Sequence, residues 1–183
     1  AKTDEYPNPN LGGQVQIWGF AKELARRGHD VTILKADDNE GHNEVIDRVN
    51  LLSLTTKCKD ELLHGIPSQL IFSKKSVKIV KNEEPDILSF RFRFSSYYQS
   101  KLDIPKIFTV ASPDALDYMK PYAVHHNILN YPLFYFKKMI ETRIISNSDK
   151  IIVLNKFIED YLKSKSHADK VKMIPNGLDP ANF

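Results

Sequence analysis

A glycine pair directly followed by an amphipathic segment is the feature that most constrains the fold. Beyond Gly12 and Gly13, apolar residues recur at three- and four-residue spacing and charged residues take the opposite positions. This spacing predicts a helix over about residues 14–27 with one buried face. Gly28 then stands where a left-handed helix cap would lie, and a β-branched run at 31–34 predicts a buried strand.

The glycine pair also suggests a binding function. Two adjacent glycines let the backbone approach a bound group closely, and the first amides of a helix offer N–H donors at the positive end of its dipole. The pair therefore predicts a site for an anion, with phosphate as the first choice. A lone glycine pair is more often only a tight turn, so the rest of the chain has to decide between these interpretations.

Length and composition narrow the class of protein. A chain of 183 residues predicts one well-buried domain. No apolar run approaches the roughly 20 residues that cross a bilayer, and no secretory signal pattern opens the sequence. Cys58 is the only cysteine, which excludes an intrachain disulfide and fits a reducing compartment, so we expect a cytoplasmic protein. A net charge of +3 argues against a nucleic-acid partner.

Short apolar strands alternate with helical patterns along the rest of the chain. This alternation predicts an α/β fold, Rossmann-like, with a mostly parallel sheet and helices on both faces. The predicted strands cover about 49–54, 85–90, 105–110, 151–154 and 171–174, and the predicted helices 72–82, 133–146 and 157–165.

In an open parallel sheet, ligands bind outside the carboxyl ends of the strands. The polar residues and glycines at these exits are Gly12, Gly13, Arg91, Arg93, Ser112, Asp114, Asn155, Asn176 and Gly177. The two arginines suit bidentate binding of a phosphate or a carboxylate. An equally weighted alternative is that residues 91–94 alternate across a strand and place one side-chain pair in solvent.

Other chemistry-bearing patterns are weak or missing. The sequence has no phosphate loop of the Walker type, no zinc spacing and no serine nucleophile elbow, and we expect no metal site. Aromatic residues at 131–136 beside Lys137 and Lys138 predict a helix that packs into the core. Peripheral contact with a membrane interface is the alternative for the same segment, because basic amphipathic helices bind there.

Three ordered blocks of the sequence resemble family 4 glycosyltransferases, which are retaining enzymes of the GT-B fold. The family's opening is resembled by Leu11-Gly12-Gly13 and by the block from Lys22 to Leu34, which contains the end of the predicted helix and the strand after it. Residues 148–154 and the later Ile174-Pro175-Asn176-Gly177 block through Phe183 resemble the end of its amino-terminal domain. The resemblance covers nearly the whole chain, and it is more specific than the glycine pair alone.

The resemblance implies that residues 1–183 form the acceptor-side, amino-terminal Rossmann-like domain, and that the carboxyl-terminal nucleotide-sugar domain is absent from this chain. Gly12 and Gly13 would approach the donor diphosphate or the transferred sugar, and Gln14 would line the acceptor side. The nucleotide-sugar enters as a substrate, so no cofactor is expected, and the acceptor is a sugar, a lipid or a small molecule. The intact protein would be hexosyltransferase-like and the fragment alone inactive.

The sequence departs from the family at one strand exit. Many relatives carry a histidine that contacts the sugar after the strand ending at Val110, whereas this chain has Ser112 and Asp114 in that segment. The catalytic residues therefore stay unassigned. Two other classes remain open: a stand-alone nucleotide- or ligand-binding α/β module, and a noncatalytic scaffold. The absence of a G-x-G-x-x-G pattern counts against a dinucleotide ligand.

Overall fold

The computed structural model of the chain describes residues 12–37, 43–56, 65–110 and 130–175. Strands and helices alternate along these residues, and most strand pairs are parallel. This architecture confirms the predicted Rossmann-like α/β fold class. The chain divides between Ile79 and Val80 into two compact units.

The first unit contains a helix and a three-stranded sheet. The elements are α1 (Gly12–Arg26), β1 (Val31–Asp37), β2 (Asn43–Ile46) and β3 (Val49–Thr55). The strand order is β1-β3-β2, in which β1 is parallel and β2 antiparallel to β3.

The core of this unit lies between α1 and β3. Trp18, Ala21 and Ala25 form the buried face of α1, and they cluster with the fully buried Val49 and Leu51 of β3. The three helical positions have the spacing that the sequence pattern predicted. Burial of one face of α1 against the sheet therefore supplies the stabilisation that a 15-residue helix lacks in isolation.

The carboxyl end of α1 is closed by a glycine in the left-handed conformation. Gly28 has φ +92°. Its N–H donates to the carbonyl of Ala25 at 3.1 Å, and the N–H of His29 donates to the carbonyl of Leu24 at 3.2 Å. This pair of hydrogen bonds is the Schellman motif, which satisfies the last carbonyls of the helix. The predicted glycine cap is confirmed.

The solvent face of α1 carries a cluster of charges. The guanidinium groups of Arg26 and Arg27 donate to the carboxylate of Glu23 at 2.8 Å. These hydrogen bonds lower the pKa of Glu23 from 4.5 to about 2. Because the folded-state pKa lies below the unfolded value, this carboxylate favours the fold above pH 4.5, and its contribution is lost as the pH falls through about 2.

Strands β2 and β3 form a hairpin that the sequence analysis did not predict. The pair Ile46 and Val49 flanks a two-residue turn, and both turn residues have positive φ, 51° for Asp47 and 67° for Arg48. Such a turn matches the twist of the two strands, but it normally contains Asn or Gly. The carboxylate of Asp47 also accepts from the ammonium of Lys22 on α1 at 3.2 Å.

An ion pair with a buried lysine joins β1 to β2 across the middle strand. Lys35 of β1 is buried, and its ammonium donates to the carboxylate of Glu44 on β2 at 3.0 Å. A lysine in the sheet interior needs such a partner, because an unpaired buried ammonium is costly. The sequence pattern predicted a strand that ends at about residue 35, whereas β1 continues for two more residues to Asp37.

The second unit is built on a parallel sheet. Its strands β4 (Leu88–Phe90), β5 (Lys106–Val110), β6 (Lys150–Val153) and β7 (Val171–Met173) are hydrogen-bonded in the order β4-β5-β6-β7. The helices α3 (Arg93–Ser96), α4 (Asn130–Asn147) and α5 (Lys156–Leu162) lie between the strands in sequence. The division between the units falls inside α2 (Ile66–Glu83), which begins six residues before the predicted helix start at 72.

The central strands of this sheet are buried on alternate positions. Phe108 and Val110 of β5 and Ile151 and Val153 of β6 have almost no exposed surface. Parallel strands need crossover connections, and the helices of these connections cover the sheet and bury its strands.

Across the described residues, no helix combines the length and apolar character needed to span a membrane.

The positive φ of Arg48 generates a prediction about stability. Arg48→Gly should raise the free energy of unfolding by about 0.5–1 kcal/mol, because glycine adopts this φ without the clash of a Cβ atom. Chemical denaturation measures the change. Arg48→Ala is the control, since it removes the long side chain and keeps the Cβ; an equal gain in the alanine variant would contradict the proposed cause.

Candidate functional site

The parallel sheet of the second unit places strand exits along one edge. Arg91 directly follows β4, and Asn155 follows β6 after one intervening residue. Their strands are separated by β5, so the two exits are about 10 Å apart across the sheet. Four of the predicted site residues, Ser112, Asp114, Asn176 and Gly177, lie outside the described residues.

The glycine pair of the first unit forms the first turn of α1. The helix begins at Gly12, two residues earlier than the sequence pattern predicted, so Gly12 and Gly13 are helical and not part of a preceding loop. The amide N–H groups at these positions have no carbonyl partner within α1. The structure thus places two residues without side chains at the positive end of the helix dipole.

Gln14 follows the glycine pair and is only 5% exposed. Its side chain has an interaction partner within the protein. The side chain therefore contributes to the packing around the start of α1, and its role in lining the acceptor side stays a prediction.

Arg91 is a half-buried cation at the end of β4. Burial lowers the pKa of its guanidinium below the usual value. Within the described part of the chain, the side chain of Arg91 has no hydrogen bond or ion pair. A partly desolvated guanidinium with five donors that no described residue occupies is suited to bind a carboxylate or a phosphate from outside the protein.

Arg93 has a different environment. It begins α3, and its side chain is 15% exposed and lies with Nε 3.8 Å from Oε1 of Glu141, whose own side chain is 2% exposed. The stacked rings of Phe94 and Phe136 join the same two helices, with centroids 6.4 Å apart. Strand β4 ends at Phe90, so the interpretation of 91–94 as one alternating strand is wrong.

Asn155 is the N-cap of α5. Its side-chain oxygen accepts a hydrogen bond from the N–H of Ile158 at 2.9 Å, which satisfies one of the free amides at the start of that helix. The capping bond uses the side-chain oxygen and does not involve the side-chain NH₂. It also fixes the position of the side-chain amide just after β6.

The aromatic segment of α4 is divided between core and surface. Phe134 is buried, as the core interpretation predicted, whereas Tyr131, Tyr135 and Met139 are exposed and lie four residues apart on one face. The rings of Tyr131 and Tyr135 stack with centroids 6.4 Å apart. Contact of this face with a membrane interface stays a prediction.

Comparison with known proteins identifies the family. A family model described as Glycosyltransferase Family 4 matches residues 12–182. The chain belongs to Glycosyltransferase Family 4. The match begins at Gly12, the first residue of α1, and runs beyond β7, so it covers both compact units of this family 4 chain.

The fold agrees with this assignment. A solved structure titled sucrose-phosphate synthase, from Thermosynechococcus elongatus, is similar with a TM-score of 0.62 and 18% identity, covering 90% of this chain and 86% of that chain. At this level of identity the likeness shows the fold, which is a Rossmann-like half of the GT-B type. No curated protein matches the family 4 chain.

The sequence predicted the same anion-binding role for Arg91 and Arg93, and it did not indicate Glu141 as a partner of either. Glu141 lies on the buried face of α4, close in sequence to the buried Ile140, Ile144 and Ile145. A carboxylate among apolar helix positions signals a buried partner, and Arg93, three residues beyond the end of β4, was a candidate for it. The structure gives the two arginines different environments. Arg93 lies beside Glu141, whereas no described residue pairs with Arg91.

This separation generates a prediction from matched variants. Arg93→Met should lower the free energy of unfolding by about 3 kcal/mol, because it removes the cation beside the buried carboxylate of Glu141. Arg91→Met should change it by less than about 0.5 kcal/mol, since no contact within the described residues is lost. Thermal and chemical denaturation measure both. Equal destabilisation by the two substitutions would contradict the assignment.

Proposed function

We propose that this chain is the acceptor-side, amino-terminal domain of a retaining glycosyltransferase that transfers a sugar from a nucleotide-sugar to a hydroxyl-bearing acceptor. The retaining course and the nucleotide-sugar donor rest on the resemblance of the three sequence blocks. The other half of the donor site belongs to a carboxyl-terminal domain, so residues 1–183 alone are inactive in this proposal. The lone cysteine of the sequence favours the cytoplasm as its compartment.

The observation that carries this proposal is the position of Gly12 and Gly13 in the first turn of α1. Their N–H groups lack intrahelical partners, and no Cβ atom keeps a ligand away from them. A diphosphate is the part of a nucleotide-sugar that such a helix start binds best, because its charge faces the positive end of the dipole.

The same geometry supports a physical account of catalysis. The bond between the anomeric carbon and the diphosphate oxygen breaks, and the acceptor hydroxyl forms the glycosidic bond as it loses its proton. Negative charge grows on the departing diphosphate during this step. Donors already oriented toward that charge stabilise the transition state more than the ground state, which is the condition for raising the rate.

Arg91 supports the acceptor side of the proposal. It lies at the carboxyl edge of the parallel sheet, the edge at which such folds bind ligands. Its guanidinium is partly desolvated and has no partner within the described residues. We therefore assign Arg91, and not Arg93, to an anionic group of the acceptor, either a phosphate or a carboxylate.

Replacement of Gly13 tests the donor assignment. In the intact enzyme, Gly13→Val should reduce transfer by about 10²-fold, because a branched side chain would occupy the space of the diphosphate or sugar and disturb its alignment. The melting temperature should stay within a few degrees, since Gly13 lies in the first turn of a helix and valine adopts helical backbone angles.

Gly19 provides a matched control in the same helix. A Cβ atom built at Gly19 meets nothing within 4 Å, so Gly19→Val makes the same chemical change on open surface. Gly19→Val should leave the initial rate of transfer unchanged. The initial rates of the two variants should therefore differ by the whole loss that Gly13→Val causes. Unchanged kinetics in a folded Gly13→Val enzyme would make the glycine pair an ordinary helix start.

The acceptor assignment has its own kinetic test. Arg91→Met in the intact enzyme should raise the acceptor KM by about tenfold and leave the donor KM unchanged, because one charge-assisted contact to the acceptor is removed. Arg91→Lys should recover part of the loss, since it keeps the charge without the bidentate geometry. A donor KM that rises as much as the acceptor KM would refute the assignment.

A further inference from the structure

The second unit contains a polar cavity at the edge of the sheet opposite to Arg91. Its volume is about 430 Å³, and we call it the amino-edge cavity because Lys106, the first residue of β5, lines it. The lining also includes Tyr97, Lys101, Asp103, Arg143 and Asn147. Since parallel strands run the same way, this cavity is separate from the strand exits at which sugar transfer is proposed.

Lys106 brings a fixed positive charge to this cavity. The residue is 7% exposed, and its ammonium donates to the carbonyl oxygens of Leu102 at 2.8 Å and Ile104 at 2.6 Å. These two bonds use two of the three donors of the ammonium. The backbone of Lys106 is fixed as well, because its N–H donates to the carboxylate of Asp149 at 2.8 Å.

Two further cations line the cavity, and no carboxylate among the described residues forms an ion pair with either. The ammonium of Lys101 lies over the ring of Tyr97, 4.2 Å from its centroid, and over the ring of Tyr98 at 5.0 Å. Arg143 extends from α4, and no described residue forms a hydrogen bond or an ion pair with its guanidinium. The tyrosine rings hold Lys101 in place without neutralising its charge.

We propose that the amino-edge cavity is a binding site for a small phosphate-bearing molecule. Three cationic side chains line it against the single carboxylate of Asp103, so an anion is the ligand that balances its charge. The guanidinium of Arg143 provides the bidentate donor pair that fits phosphate oxygens, and the remaining Lys106 donor and the amide of Asn147 add further donors.

The opening of the cavity bears on the class of ligand. The cavity is open to solvent, so a bound phosphate group need not be a free phosphate ion. An organic group of a few carbon atoms attached to the phosphate can extend out of the cavity. The ligand is therefore a small phosphate monoester, with inorganic phosphate as its minimal form.

Titration of the intact protein with two probes tests the proposal. Inorganic phosphate and glycerol 3-phosphate are added at constant ionic strength, and binding is followed by calorimetry and by the rise in melting temperature. Saturable binding of one molecule is expected, with glycerol 3-phosphate binding more tightly than inorganic phosphate. Equal affinities would assign the site to free phosphate, and the absence of saturable binding by both probes would overturn the proposal.

Variants decide whether the bound anion occupies this cavity. Arg143→Met should weaken binding by about tenfold, and Lys101→Met should weaken it as well, because each removes a charged contact. Lys172→Met is the control, since Lys172 is an exposed lysine of β7 outside the cavity. Equal weakening in all three variants would show diffuse charge attraction and refute the site.

These measurements do not depend on glycosyl transfer, so their outcome is independent of the proposed function. Melting of the ligand-free variants checks that they are folded. Arg143 and Lys101 are both exposed, and their substitution should leave the melting temperature of the free protein unchanged. Loss of binding in a folded Arg143→Met protein is the result that supports the cavity.

Discussion

Parallel pairing of β4, β5, β6 and β7 is the constraint on which the second unit depends. Two adjacent parallel strands cannot be joined by a tight turn, so every connection has to cross the sheet and return. This requirement sends all four carboxyl ends to one edge and all four amino ends to the other. The two edges then acquire different chemistry: Arg91 and the helix-capping Asn155 lie at one, and the cationic cavity around Lys106 lies at the other.

Charged groups inside this protein fall into those with an internal partner and those without one. Lys35 with Glu44 and Arg93 with Glu141 are internal pairs, in which each charge offsets the desolvation of the other. Arg91 is partly desolvated with no such compensation among the described residues. A partly desolvated cation without a partner among the described residues is a better indicator of a binding role than its position in the sequence.

Periodicity allowed much of the fold to be predicted. The buried face of α1, its glycine cap at Gly28 and the strands β5 and β6 follow from local patterns, since each depends on neighbours in sequence. The hairpin of β2 and β3 does not, because Asp47 and Arg48 lack the Gly or Asn signal of a two-residue turn. The different environments of Arg91 and Arg93 also escape prediction, since Glu141 lies far along the chain and only packing brings it to α3.

The hairpin has a consequence for the order of folding. Its strands are joined by two residues, so their pairing can form within microseconds, before contacts distant in sequence are made. The turn also determines the register of β3, and a slip of one residue would rotate Val49 and Leu51 away from α1. A chain that has paired β2 with β3 therefore already presents the surface on which Trp18 packs. Helix α1 then packs onto a sheet surface that has formed before it.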